Sequence, residues 1–127
     1  MKKKILLLED NIVHREVIYD GLEDMGFEVK KAEDVPEARK IIDDEGFKPD
    51  LFVLDIVIGV IKNQGILYAE KLSKKPGFKD IPVLYITAHF DQKDIAGYFP
   101  EDLRANVLLK PFDFEQLLNK IRQVLNK

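Results

Sequence analysis

Five polar side chains stand at the ends of apolar runs, and their types suggest a single chemistry. Glu9 and Asp10 follow Ile5–Leu8, Asp55 closes "DLFVLD", Thr87 closes "VLYIT", and Lys110 follows Val107–Leu109. Adjacent like charges repel and cost stability when buried unpaired, so an acidic pair at a strand end implies a nearby cation or open water. Three carboxylates offer oxygen donors only. A small cluster of that kind, with positions left for water and phosphate oxygens, suits magnesium. A magnesium ion and a lysine ammonium together would also stabilise a transferring phosphoryl group, whose charge is spread over its equatorial oxygens. A carboxylate can itself be the nucleophile and form an acyl phosphate. Asp55, alone at the end of the central run, is the candidate.

The elements that must position these groups alternate regularly. Apolar runs suited to buried strands occur at Ile5–Leu8, Phe27–Lys31, Leu51–Ile56, Ile81–Ile86 and Val107–Leu109. Helical spacing appears between them. The first helix carries Ile12, Val13, Val17, Ile18, Leu22 and Met25 and stops at Gly26. The second carries Val35, Ala38, Ile41 and Ile42, with Pro36 in its first turn and Gly46 beyond its end. A third follows Gly65, and the last, behind Asp113 as N-cap, carries Phe114, Leu117, Leu118, Ile121, Val124 and Leu125. Gly97 and Pro100 interrupt any long helix over 91–104. Repeated strand–helix alternation predicts an α/β fold with a mostly parallel sheet covered on both faces. In such sheets the working groups gather beyond the carboxyl ends of the strands, which is where all five residues fall.

Composition excludes several classes. A chain of 127 residues that is 46% hydrophobic and 34% charged is a globular single domain, taken here as 1–127. A net charge of −3 gives no reason to expect direct nucleic-acid binding. The absence of cysteine rules out disulfides, thiolate nucleophiles and zinc–thiolate sites. The opening "MKKKILLL" stops at Glu9, short of a secretory core of roughly 7–15 residues, and no run reaches the roughly 20 apolar residues of a membrane span. A cytoplasmic location with no membrane contact is expected.

Together, "LLLEDN", "DLFVLDI", "VLYITA" and "LLKPF" resemble the receiver domains of two-component response regulators, over essentially the whole chain and in order. Arg15 and Gly26 also fall where such domains often have them. The resemblance implies a flavodoxin-like, five-stranded parallel sheet in the order 2-1-3-4-5 with helices on both faces. It implies that Asp55 accepts a phosphoryl group from a phosphohistidine on a sensor histidine kinase or histidine phosphotransfer protein. Asp10 and Asp55 would bind Mg2+ directly with the backbone carbonyl of Val57, and Glu9 would act mostly through water. Lys110 would pair with the phosphoryl oxygens, and Thr87 would move to hydrogen-bond the phosphorylated aspartate. A cis Lys110–Pro111 bond is also implied. Such a domain is no enzyme beyond self-catalysed phosphotransfer and autodephosphorylation. It signals through a conformational switch to a downstream protein, and a phosphorylation-dependent dimer is compatible with that.

Departures from the family's pattern fall on the output side. Gly59 stands where a proline is usual, and the loop from Asp55 to Gly65 is two residues longer than common and unusually apolar at Val57, Ile58, Val60 and Ile61. Val107 occupies the position of the frequent aromatic switch residue. Val57 and His89 each lie two residues beyond a site residue, Asp55 and Thr87, flanking the expected route of attacking water. An apolar Val57 should therefore slow acyl-phosphate hydrolysis.

Plainer readings exist for each residue taken singly: a solvated loop start for Glu9 and Asp10, a cap for Asp55, a strand end for Thr87, a snorkelling surface lysine for Lys110. Their joint recurrence at one edge outweighs them. His14 and His89 read as surface residues, since two isolated histidines make a poor metal site. A haloacid-dehalogenase-type phosphohydrolase needs an acid two residues after its nucleophile, where this chain has Ile12 after Asp10 and Val57 after Asp55. A flavodoxin needs a phosphate-cradling loop where "EDNIVHR" stands, and no GxxxxGK[ST] or GxGxxG stretch occurs. The expectation is a magnesium-dependent phosphoacceptor serving as stand-alone adaptor, relay intermediate or receiver part of a larger regulator. The chain ends at Lys127, directly after the last helix, so no DNA-binding or enzymatic output domain is expected within it. The alternative is a receiver-like interaction module that is not phosphorylated.

Overall fold

Short apolar runs with no polar interruption suit buried strands, and the computed structural model places them side by side in one sheet. It describes residues 2–56, 64–87 and 106–126. The elements among them are β1 (Lys4–Leu8), α1 (Ile12–Asp24), β2 (Glu28–Ala32), α2 (Val35–Asp43), β3 (Leu51–Asp55), α3 (Gln64–Ser73), β4 (Val83–Thr87), β5 (Val107–Leu109) and α4 (Phe114–Leu125). The strands form one parallel sheet in the order β2-β1-β3-β4-β5. Val57, Gly59, His89, the loop 57–63 and the segment 91–104, on which some of the sequence expectations fall, lie outside the described residues.

Successive strand side chains point to opposite faces, and the two resulting cores are distinct. Leu6, Leu8, Phe52 and Leu54 pack with Ala38, Ile41 and Ile42 of α2 and with Ile66, Ala69 and Leu72 of α3. Ile5, Leu7, Leu51 and Val53 pack on the other face with Ile18 and Leu22 of α1 and Leu117, Ile121 and Val124 of α4. Helix ends follow their sequence signals. Asp34 and Asp113 cap α2 and α4, the latter through a full capping box with Gln116. Gly26, after α1, takes the positive φ of 94° that other residues rarely adopt.

Helix α1 departs from expectation. Its predicted apolar face included Ile12, Val13 and Val17, but these are 63%, 65% and 61% exposed, and Met25 is exposed as well. A helix turns about 100° per residue. Val13 and Val17 therefore point well away from the line of Ile18 and Leu22, which alone are buried. Strand bounds also shift, by a single residue for β1 and β3, which start at Lys4 and end at Asp55. β4 starts at Val83, after Pro82, whose missing N–H makes it a strand boundary, and β2 runs to Ala32, whose carbonyl accepts from Glu9 N at 3.1 Å.

Candidate functional site

Strand register brings the five predicted side chains to one edge. Leu8 pairs with Leu54, Asp55 with Ile86, and Thr87 with Leu109. Glu9, Asp55, Thr87 and Lys110 are consequently the last strand residues or the first beyond them. The backbone holds that line: Ile56 N donates to Ile86 O at 3.1 Å and Lys110 N to Thr87 O at 2.7 Å. The Lys110–Pro111 peptide is cis, as expected.

Gly65 shapes the return of the chain to this edge. Its N–H donates to Ile56 O at 3.1 Å, and a Cβ there would press into the carbonyl oxygen of Asp55. Arg15 closes the opposite side. Its guanidinium Nη1 donates to the carbonyls of Glu9 at 3.0 Å and Asp10 at 3.4 Å, pinning the turn between β1 and α1.

Asp55 is 4% exposed and Glu9 is completely buried, whereas Asp10 is exposed. Ligand oxygens of the three carboxylates lie within 4.8 Å of one another. The Lys110 ammonium lies 3.1 Å from Asp55 Oδ2 and also contacts Glu9 Oε1 closely. Burial is the largest influence on Asp55 and pushes its carboxyl up to about 8. A hydrogen bond and the charge of Glu9 add to the rise, and Lys110 opposes it. Burial also acts to raise Glu9, but the hydrogen bonds with Asp55 and Lys110 and the lysine's charge outweigh it and hold Glu9 below its ordinary value. Lys110 loses solvation on burial, yet its contacts with both carboxyls raise it. Without a metal, then, Asp55 holds a proton that a second cation would displace. The donor set is all carboxylate oxygen and carries more negative charge than one lysine offsets, so it fits a hard divalent ion.

Thr87 Oγ1 is buried and finds no hydrogen-bond partner among the described residues, an arrangement suited to receiving an oxygen-rich group. Two contacts were missed in the sequence. Glu9 meets Lys110 directly, 101 residues away, and the His14 ring lies with Nδ1 3.6 Å from Glu9 Oε1. Only the first had a hint in the sequence, as both residues end strands of one parallel sheet.

Comparison with known proteins agrees with this geometry. Residues 5–122 match the family described as response regulator receiver domain. The phosphate regulon transcriptional regulatory protein PhoB of Escherichia coli K12 is 30% identical over 128 residues, covering 100% of this chain and 53% of that protein. The probable transcriptional regulator ycf27 of Cyanophora paradoxa is 34% identical over 128 residues, covering 99% and 49%. The chain thus spans about half the length of the curated relatives it matches. Among solved structures, the chemotaxis protein CheY4 of Vibrio cholerae shares the fold, with a TM-score of 0.81 at 24% identity, covering 98% of this chain and 99% of that one. A putative response regulator from Chloroflexus aurantiacus J-10-fl superposes with a TM-score of 0.81 at 26% identity, covering all of both chains. The chain belongs to the receiver domain family of two-component response regulators, a family of phosphoacceptor signalling domains.

Proposed function

We propose that Asp55 takes the phosphoryl group of a phosphohistidine donor, a sensor histidine kinase or histidine phosphotransfer protein, in a magnesium-dependent transfer. The observation that carries this reading is the placement of Asp55: buried at the end of β3, 3.1 Å from an ammonium and beside two further carboxylates. A carboxylate oxygen of Asp55 forms the new O–P bond as the donor's N–P bond breaks, and the imidazole nitrogen leaves with the electron pair. Asp10 and Asp55 would hold Mg2+ directly, with Glu9 acting through water. The carbonyl of Val57, outside the described residues, would complete the protein donors. When bound, the ion supplies positive charge to the phosphoryl oxygens. Lys110 turns from the carboxyls to those same oxygens. The Thr87 hydroxyl donates to one of them and draws the chain that follows it, changing the surface offered to a downstream protein.

Protein contact is the output this reading assigns, with the chain acting in the cytoplasm as an adaptor, a relay intermediate or the receiver part of a larger regulator. No described helix is long and apolar enough to cross a membrane. The test is transfer from a phosphohistidine protein followed by borohydride reduction and peptide mapping. Reduction of an acyl phosphate would turn position 55 into homoserine. Label on any other residue, or undiminished label on an Asp55→Asn variant, contradicts the assignment.

A further inference from the structure

Helices α2 and α3 leave a cleft of about 150 Å3 between them, well below the roughly 300–1,000 Å3 of pockets for drug-sized molecules. Its polar lining is Arg39 and Asp43 from α2, Tyr68 and Lys71 from α3, and Lys75 just beyond α3. Spacings of three and four residues put each helix's contributors on one face. Helices that link parallel strands run back from the carboxyl to the amino ends of the strands. Asp43 and Lys75, at and past the helix ends, therefore lie toward the sheet edge opposite Asp55.

Three cations face one carboxylate in this lining. Lys75 Nζ lies 2.9 Å from Asp43 Oδ1 and is steadied over the Phe78 ring, 5.6 Å from its centroid. No carboxylate among the described residues forms an ion pair with Arg39 or Lys71. Tyr68 is 5% exposed, and its hydroxyl is buried with no hydrogen-bond partner among the described residues. Burial pushes that hydroxyl up to about 12; the Asp43 charge adds to the rise and the Arg39 charge opposes it. Both charged residues of the α2 wall thus act on it, and at neutral pH it remains a donor. A buried hydroxyl left unpaired costs the fold its lost hydration. An acceptor from outside the chain would restore it.

We propose that the α2–α3 cleft binds a small phosphate-class oxyanion, held by the Arg39 and Lys71 side chains and accepting a hydrogen bond from the Tyr68 hydroxyl. Arginine presents paired donors that match two phosphate oxygens, and lysine adds a point charge. Lys75 offsets Asp43, which would otherwise repel the anion. The size of the cleft suits inorganic phosphate or the phosphate end of a small monoester and leaves no room for an enclosed nucleotide. The site shares no residue with the phosphoacceptor edge and does not depend on its chemistry.

Amide NMR spectra of the full chain, without Mg2+, test this against inorganic phosphate, glycerol phosphate and, for ionic strength, sodium chloride. The native chain is compared with Tyr68→Phe and with Arg39→Gln plus Lys71→Gln, and thermal unfolding with and without phosphate runs in parallel. The expected result is saturable shifts over α2 and α3 with phosphate but not chloride, weakened about tenfold or more in the double variant and several-fold in Tyr68→Phe. Tyr68→Phe should also melt above the native chain without phosphate, having shed an unpaired hydroxyl, and gain less when phosphate is added. Tighter binding of glycerol phosphate would assign a monoester, and equal or weaker binding the free ion. Shifts confined to the edge of Asp55 and Lys110, shifts reproduced by chloride, or no shifts at all would overturn the site. Equal affinity in Tyr68→Phe would overturn the role of the hydroxyl, and equal affinity in the double variant that of the two cations.

Discussion

Lys110 Nζ lies 3.1 Å from Asp55 Oδ2 while contacting Glu9 Oε1, so one ammonium bridges two buried carboxyl groups contributed by β3 and the end of β1. Removing it strips that pair of the ammonium that bridges it. Lys110→Ala is expected to destabilise the metal-free protein by about 3 kcal/mol, the lower end for stripping a buried ion pair, because the carboxyls can take up protons instead. Urea unfolding with and without Mg2+ checks this, and the deficit should shrink when the ion is present. An unchanged midpoint in both conditions would contradict the bridging role.

Asp55 sets a pH dependence whose sign is fixed by its shift. Its native-state carboxyl is raised to about 8, mainly by burial and then by Glu9, so between the ordinary carboxylate range and about pH 8 the native state holds a proton that the unfolded state has lost. The stability this proton confers is present in acid and is lost as pH rises toward 8. The metal-free protein should therefore lose up to about 1.4 kcal/mol per pH unit across that window relative to Asp55→Asn. Thermal unfolding of both proteins from pH 5 to 8 measures the difference, and parallel curves would refute it. By the same linkage Mg2+ affinity should rise with pH, because binding displaces that proton.

Gly65 is expected to tolerate no side chain. A methyl group there meets the Asp55 carbonyl and sits 3.1 Å from Ile56 Cα, both backbone atoms that cannot swing aside. Gly65→Ala should cost about 1–3 kcal/mol through overpacking and slow phosphorylation about tenfold or more by displacing Asp55. Denaturation and phosphorylation rates measured on one preparation would separate the two effects. Normal behaviour in both would show that the loop has room to shift.

Val57 tests the lifetime of the phosphorylated state. It lies two residues beyond Asp55 and is apolar, so Val57→Asn should admit water and shorten the acyl-phosphate half-life several-fold. Decay of the phosphorylated species, followed by mass, gives the answer; equal half-lives would sink the idea.

The sequence made the fold and the site edge legible for the same reason. Four short apolar runs, with a mixed fifth at Phe27–Lys31, suit the strands of one sheet, and their parallel register aligns whatever follows each run. Asp55 and Lys110 are 55 residues apart in sequence and 3.1 Å apart in space on that account alone. What stayed hidden depends on side-chain direction. Nothing in the order of residues tells that Val13 and Val17 face outward while Ile18 faces in, since all three are equally apolar and α1 is buried only along Ile18 and Leu22. The proximity of His14 to Glu9 was hidden likewise, because it is a matter of rotamer and turn geometry at the end of β1.

The most direct test of the central claim is intact mass and peptide mapping after incubation with a small-molecule phosphodonor, with and without Mg2+, on the native chain and on Asp55→Asn. The account predicts one phosphoryl adduct on the native chain, dependent on Mg2+, mapped to Asp55 and absent from the variant. No adduct from a folded, Mg2+-binding protein, even with a phosphohistidine donor, would contradict it and leave a receiver-like module that binds its partners without phosphorylation.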